Sequence, residues 1–305
     1  MQKKELPVLN EKYNLPTNKQ HISYSELSEW LNCSFFHKLK HIDKISLDKP
    51  SIHTEFGSTI HDALENFLNT REPITDEAVE KAKIQFFESM NKLKEIDEKL
   101  YKEEEVLEFS ESIGPLLKQV PEWLETEFPG WQPVAAEWAL YEAIEKQKDK
   151  YFKGFIDCII KVPIKQRKAA NKNSPMRLSE LTGDNNSEQE YQTIVLDWKT
   201  TAWGWTADKK RDFQKQLQLV LYKHFWCKIN NLDLKQVKTG FVLLKRTPKK
   251  DGLRCEFVPV SVGPKTEEKA LEIVQNMINQ LQQRRFVKNR SSCMYCVYSG
   301  TKHCL

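Results

Sequence analysis

Residues 194–200 read IVLDWKT, and no other stretch constrains the fold as tightly. Its apolar and aromatic positions describe a buried strand, yet it carries an acid and a lysine. Strand side chains alternate with period two, so Val195, Asp197 and Lys199 share one face and Ile194, Leu196 and Trp198 the other. Burying an acid and a base is costly unless they are paired or bound to something. The fold must therefore close a structural ion pair at this strand end or bring further charged groups to it.

A second acid favours the latter. KYFKGFIDCIIKV at 150–162 reads as another strand, joined by a turn around EKQKD to a strand at 133–144, PVAAEWALYEAI. Residues 163–192 are polar, rich in turn formers and without periodicity, which predicts a flexible insertion between two hairpin-paired strands. That pairing brings Asp157 to Asp197. Converging carboxylates repel, and Mg²⁺ or Mn²⁺ with oxygen ligands resolves the repulsion. Lys199, facing the same way as Asp197, would then orient a water or steady charge on a phosphate, while the metal lowers the pKa of its bound water.

Other residues carry two readings. His61 lies on a helix in TEFGSTIHDALENFLNT, 54–70, where Gly57 allows a close approach, and is either a core histidine or a ligand. Glu137, an acid among apolar residues, either supports the metal or pairs with a base. Gln218 and Tyr222 lie four apart on an amphipathic helix at 208–229 and share a face, as plain surface or as an edge meeting the lysine or a phosphate. His37, His41 and His53 read as structural or surface residues.

The rest of the chain frames this core. Residues 1–20 read as a flexible tail and 21–130 as a helical region, with helices in 22–42 (capped by Ser23 or Ser25), 54–70, 75–107 and 114–129. The core, 131–290, adds strands at 237–246 and 253–262 and a helix at 266–286. A chain of 305 residues suffices for one large α/β domain with embellishments. No run of 18 apolar residues exists and the first residues lack the apolar core of a signal peptide, which predicts an intracellular location, cytoplasmic or other, and no membrane partner.

Seven cysteines without a secretion signal indicate reduced thiols or a metal site rather than a disulfide framework. Cys293, Cys296 and Cys304 have metal-like spacing. Their fourth ligand is either His303, which favours zinc, or the distant Cys33. Cys158, Cys227 and Cys255 sit in apolar contexts and read as core.

Charge is uneven. Residues 201–305 hold 20 Lys and Arg against 8 Asp and Glu, which suits a polyanion partner. Lys209, Lys210 and Arg211, the TPKKDGLR stretch at 247–254, and Arg284 and Arg285 are candidate phosphate contacts. Trp203 and Trp205 either stack on bases or pack their own loop down. No phosphate-cradling G-x-x-x-x-G-K-[ST] loop is present, so ATP-driven unwinding requires a partner such as a helicase or recombination protein. Nothing resembles a sequence-reading element or a dinucleotide fingerprint.

GSTIH, KGFID, LDWKT and QLVLY, in this order, resemble the PD-(D/E)xK nuclease superfamily in its RecB-like branch, over roughly residues 22–304. The resemblance implies an α/β fold: a mixed β-sheet, restriction-endonuclease-like core flanked by helices, with an N-terminal helical region and a C-terminal iron–sulfur tail. It makes His61, Asp157 and Asp197 the Mg²⁺ or Mn²⁺ ligands, Lys199 the catalytic lysine, Gln218 and Tyr222 the Q-x-x-x-Y pair, and Glu137 an acid one strand earlier. Iron–sulfur members, among them AddB-type subunits, CRISPR-adaptation nucleases and some phage-like exonucleases, place one cysteine before these motifs and three after. That pattern gives Cys33, Cys293, Cys296 and Cys304 a [4Fe–4S] cluster, with the tail 291–305 closing onto Cys33. The expected function is a metal-dependent DNA exonuclease without sequence specificity, acting on single-stranded or end-frayed DNA. The alternatives are a structure-directed or single-strand endonuclease of the same fold, and a non-catalytic DNA-binding subunit of a recombination or repair complex.

Overall fold

Ser23 ends a three-residue strand and begins a helix: its side chain accepts the Glu26 N–H, satisfying a donor that helix geometry leaves free. In this computed structural model, which describes residues 12, 14–164 and 190–305, that strand is β1 (His21–Ser23) and the helix α1 (Tyr24–Asn32). Neither β1 nor the burial before it follows from the sequence pattern. Leu15, Thr17 and Gln20 are buried, so 14–20 packs onto the core and is not the loose tail expected there. The rest of that stretch, 1–11 and 13, lies outside the described residues, as does 165–189 of the expected insertion.

A short helix α2 (Ser34–His37) and a π turn (Lys38–Ile42) lead to three long helices, α3 (Ile52–Thr70), α4 (Asp76–Ile96) and α5 (Glu103–Glu127). Helix α5 joins two segments that the sequence pattern separates, running unbroken through Pro115 and Pro121. A proline inside a helix costs about 3 kcal/mol. Here Val106, Phe109, Ile113, Leu116, Leu117, Val120 and Leu124 are all buried along one side, and that packing outweighs propensity.

The sheet follows: β2 (Gln132–Ala143), β3 (Tyr151–Pro163), β4 (Tyr191–Thr201), β5 (Val237–Lys245) and β6 (Cys255–Val260). Strand β3 pairs antiparallel with β2 over its length. Its other edge is divided: β1 pairs with it in parallel at Tyr151–Lys153, and β4 antiparallel from Cys158 onward. β4 and β5 are parallel, β5 and β6 antiparallel. The connection from β4 to β5 is made by α6 (Ala207–Arg211) and α7 (Phe213–Asn230), and α8 (Pro264–Gln282) follows β6. The single helix expected over 208–229 breaks at Asp212, whose side chain caps the Gln214 N–H.

Two apolar cores lie on opposite faces of this mixed sheet. One packs α1, α7 and α8 against Phe152, Ile159, Val195 and Phe241, and the other packs α3, α4 and α5 against Ile160, Leu196, Trp198 and Val242. Helix α7 is not amphipathic as expected: every residue from Leu217 to Cys227 is buried, because sheet, α1 and α8 surround it. Among the described residues no helix is long and apolar enough to cross a membrane.

Candidate active site

The divided edge of β3 creates the site. Between Lys153 and Cys158 that edge has no ladder partner among the described residues, and side chains take up the freed backbone groups. Asp157 Oδ2 accepts the Trp198 N–H at 2.8 Å, and the Phe155 N–H meets the Tyr222 hydroxyl. Face alternation also slips here. Phe152 and Ile156 share a core with Ile159 on β3, and Ala135 shares it with Trp138 and Leu140 on β2, so both strands change parity at Asp157 and Glu137. Glu137 holds φ at +45°, a conformation that costs a non-glycine residue of order 1 kcal/mol or more and is concentrated at functional sites.

The structure brings Asp157, Asp197, Lys199, His61, Glu137 and Tyr222 to this opening. Lys199 Nζ lies 2.7 Å from Asp197 Oδ2, while Asp197 Oδ1 has no hydrogen-bond partner among the described residues, although the side chain is fully buried. Burial, and then the charge of Asp197, push the Asp157 carboxyl well above the usual carboxylate range. Burial lowers the Lys199 pKa, but Asp197 and Asp157 outweigh it and hold the ammonium above its ordinary value. Among the described residues the two acids thus lack compensating positive charge beyond one lysine.

His61 reaches the opening from α3. Its Nε2 is 3.1 Å from the Trp198 carbonyl, which can only accept, so that nitrogen carries the proton. Burial lowers its pKa, which favours the neutral ring and leaves a lone pair on Nδ1, 3.6 Å from Asp157 Oδ2. His61, Glu137 and Asp157 each offer a ligand atom within 4.8 Å of the others. Burial, then Glu65 and Asp62, raise the pKa of Glu137. These two acids line the same open cavity of about 620 Å³ with His61 and Glu137. Sequence reasoning passed over them, although Glu65 stands one helical turn from His61.

The close approach expected at Gly57 belongs instead to Gly154. A Cβ at Gly57 would sit 3.4 Å from Thr200 Oγ1, an ordinary contact. At Gly154 it would meet the Tyr222 ring at 2.8 Å. Tyr222 is buried, with Gln218 Nε2 donating to its hydroxyl at 3.3 Å, so this pair is interior rather than surface. Tyr24 of α1 was also missed. Its hydroxyl donates to the Gln214 carbonyl, and it feels the charges of Lys199 and Asp197.

The remaining candidates separate. Trp203 is 70 % exposed, whereas Trp205 packs on Phe241 with rings 5.1 Å apart and Lys209 over its face. Lys210 is held by Glu256, while Arg284 and Arg285 are exposed. His37 is fully buried against Glu26, His41 pairs with Glu29, and His53 is exposed. Cys158, Cys227 and Cys255 are buried. Cys33, Cys293, Cys296 and Cys304 line one cavity of about 270 Å³ with Phe36, Leu39 and Tyr298. Cys33 Sγ accepts N–H groups from Phe36 and Asn289. Among the described residues no three thiols approach as closely as the His61 group does, and His303 does not line the cavity.

A mixed sheet between helical layers, with acids from adjacent strands and a histidine converging where a ladder opens, defines a restriction-endonuclease-like fold with a candidate divalent-metal centre. The chain belongs to the PD-(D/E)XK nuclease superfamily, which it matches over residues 21–169 and 184–301. No curated protein matches it. Its activity class is therefore that of a metal-dependent nuclease.

Proposed function

We propose that this chain is a divalent-metal-dependent deoxyribonuclease of the RecB-like branch that degrades single-stranded or frayed DNA from its ends without reading sequence. The observation that carries this reading is the deficit of positive charge around Asp157 and Asp197, two buried acids sharing one lysine, with the His61 Nδ1 lone pair turned toward them. His61, Asp157 and Asp197, with Glu137 beside them, suit Mg²⁺ or Mn²⁺. Such an ion, when bound, lowers the pKa of a water and offsets charge on the phosphate.

The chain's own groups do the rest. Lys199, held protonated by Asp197, is a donor to phosphate oxygen rather than a base. Tyr222 and Gln218 lock α7 against the Gly154 backbone, which keeps the strand edge open. Trp203 offers an exposed ring beside the catalytic strand.

The cysteines suit a [4Fe–4S] cluster. Four thiols around one cavity, with backbone N–H groups aimed at Cys33 sulfur, provide ligands and the hydrogen bonds that tune such clusters. The cluster would tie the end of α1 to the tail 291–305, closing a loop of about 260 residues and removing on the order of 5 kcal/mol of unfolded-state entropy. In this reading 21–130 is a helical region built onto a nuclease core of 131–290, and a helicase or recombination protein supplies the unwinding.

The test is cleavage of end-labelled single-stranded DNA with Mg²⁺ or Mn²⁺. Asp197→Asn should lower the rate by at least about a thousandfold, on the scale of losing one element of charge stabilisation, while binding the same DNA normally. Intact DNA after prolonged incubation of the wild type with either metal would remove the catalytic reading and leave a DNA-binding subunit.

A further inference from the structure

Sequence reasoning passed over the one carboxylate of β6. Glu256 pairs with Leu243 of β5, which pairs with Lys199 of β4. These three residues form one row across the sheet and share a face, so Glu256 stands two strand spacings, about 10 Å, from the active-site lysine. Three lysines from three elements converge on it. Lys210 of α6 lies at 2.5 Å, Lys249 of the β5–β6 hairpin at 3.0 Å and Lys245 at the end of β5 at 3.3 Å. Burial pushes the Glu256 carboxyl up, but the Lys210 and Lys249 hydrogen bonds outweigh it and hold the group at about 2. One carboxylate balances one ammonium and leaves two in excess. Lys245 is 1 % exposed, so water does little to screen it. Like charges held this closely call for a further anion.

A cavity of about 600 Å³ opens onto the group, lined by Trp203, Gly204, Lys245, Lys249, Lys250 and Asp251, so that a second acid is matched by a fourth lysine and the excess of two positive charges stands. The loop carrying Trp203 is fastened by its backbone. Thr201 Oγ1 donates to the Trp203 carbonyl at 2.7 Å, and the Arg246 and Thr247 N–H groups donate to the Thr201 and Ala202 carbonyls at 2.9 Å. Gly204 lets this loop lie on the cluster, since a Cβ there would come within 3.2 Å of Glu256 Oε2. The result is an exposed aromatic ring on a fixed mount beside excess positive charge.

We propose that Glu256 gathers Lys210, Lys245 and Lys249 into a subsite for one backbone phosphate of a single DNA strand beyond the cleavage point, with an adjoining base stacked on Trp203. The choice of DNA as the source of that phosphate rests on the nuclease reading above; the charge excess does not. Glu256 is a positioning residue, the buried Lys245 adds its charge from beneath, and Lys210, Lys249 and Trp203 make the contacts.

The experiment uses full-length Asp197→Asn protein and a fluorescein-labelled 20-nucleotide single strand, with anisotropy titrations over a range of salt. Lys210→Ala with Lys249→Ala should weaken binding and reduce the salt slope by about 0.7, the loss of one phosphate contact on a single strand. Trp203→Ala should weaken binding about 10-fold, and Trp203→Phe should restore most of it, because a ring is what stacking requires. A blunt duplex should be insensitive to Trp203→Ala, and equal loss on duplex and single strand would overturn the strand assignment. If Asp197-intact protein degrades the 20-mer while these variants bind normally, the subsite is wrong and the nuclease reading stands. If it degrades nothing while the variants lose binding, the subsite stands and the nuclease reading falls.

Discussion

His61 Nδ1 stands 3.6 Å from Asp157 Oδ2 while its Nε2 is committed to the Trp198 carbonyl at 3.1 Å. Two lone-pair-bearing atoms facing each other call for a proton or a metal cation between them, and the backbone carbonyl fixes which nitrogen is available. His61→Ala should therefore weaken Mn²⁺ binding by about 10–100-fold, the range lost when a group that fixes a metal site is removed. Calorimetric titration of Mn²⁺ into both proteins measures it. Equal affinities would return His61 to the role of an ordinary buried histidine.

Gly154 and Tyr222 make the second prediction. A Cβ at Gly154 would stand 2.8 Å from Tyr222 Cε1, closer than real contacts allow, and Tyr222 is hemmed in by Phe152 and the sheet. Gly154→Ala should push the ring away, close the strand edge and cost about 1–3 kcal/mol. Denaturant unfolding gives the stability loss. Cleavage should fall in parallel, and a stable, fully active Gly154→Ala protein would show that the edge tolerates movement.

A third concerns Glu26, 2 % exposed and 2.9 Å from His37 Nε2. Burial raises the Glu26 pKa, but the hydrogen bond and charge of His37 outweigh it and bring it below the ordinary value of 4.5. A carboxyl with a depressed folded-state pKa stabilises the protein above its unfolded pKa. That contribution is lost as pH falls through the folded value. Glu26→Gln should accordingly flatten the acid side of the stability profile below about pH 4.5. His37→Ala should cost about 3–5 kcal/mol at neutral pH by leaving the carboxylate buried and alone. Urea unfolding across pH measures both.

Much of this was legible in the sequence because it depends on order and parity. The acid and lysine of β4, the hairpin partnership of β3 and β4, and the chain order of helix, strand, strand and helix follow from alternation and spacing. What was not legible depends on the sheet edge. β1 is three residues long and too short for any pattern to register. The slip of alternation at Glu137 and Asp157 breaks the rule by which faces are read. Glu256 looks like an ordinary strand acid until β5, β6, α6 and the hairpin are brought together. The pattern separates helices at 75–107 and 114–129, whereas tertiary burial carries α5 continuously from Glu103 to Glu127 through Pro115 and Pro121.

The cysteine cavity yields a fourth prediction. If the proposed [4Fe–4S] cluster occupies this cavity, protein purified without oxygen should be brown and hold about four iron and four sulfide per chain. Cys33→Ala should destabilise the fold as much as Cys296→Ala, because each removes one ligand of the same group. Elemental analysis giving one zinc and no sulfide would replace the cluster by a zinc site.

The last prediction concerns ends. An exposed Trp203 follows Lys199 by four residues, and the Glu256 lysines gather two strand spacings from Lys199. In the proposed reading these groups meet phosphates and base faces, which every sequence shares, so nothing in them selects an internal position. A site of this kind gains its selectivity from what can be threaded past it. In the proposed reading a terminal strand would reach Lys199 and then the Glu256 lysines with successive phosphates, whereas a closed circle would have to enter as a bent loop and fit two strand segments into one cleft. Linear single-stranded DNA should therefore be degraded at least about 10-fold faster than a closed circle of the same sequence, a difference of about 1.4 kcal/mol in the barrier. Raising salt should slow both alike through the phosphate contacts. The readout is the ratio of initial rates at matched nucleotide concentration. A ratio near one, with nicked circles accumulating before full degradation, would assign the site to internal cleavage and make the chain a single-strand endonuclease of the same fold.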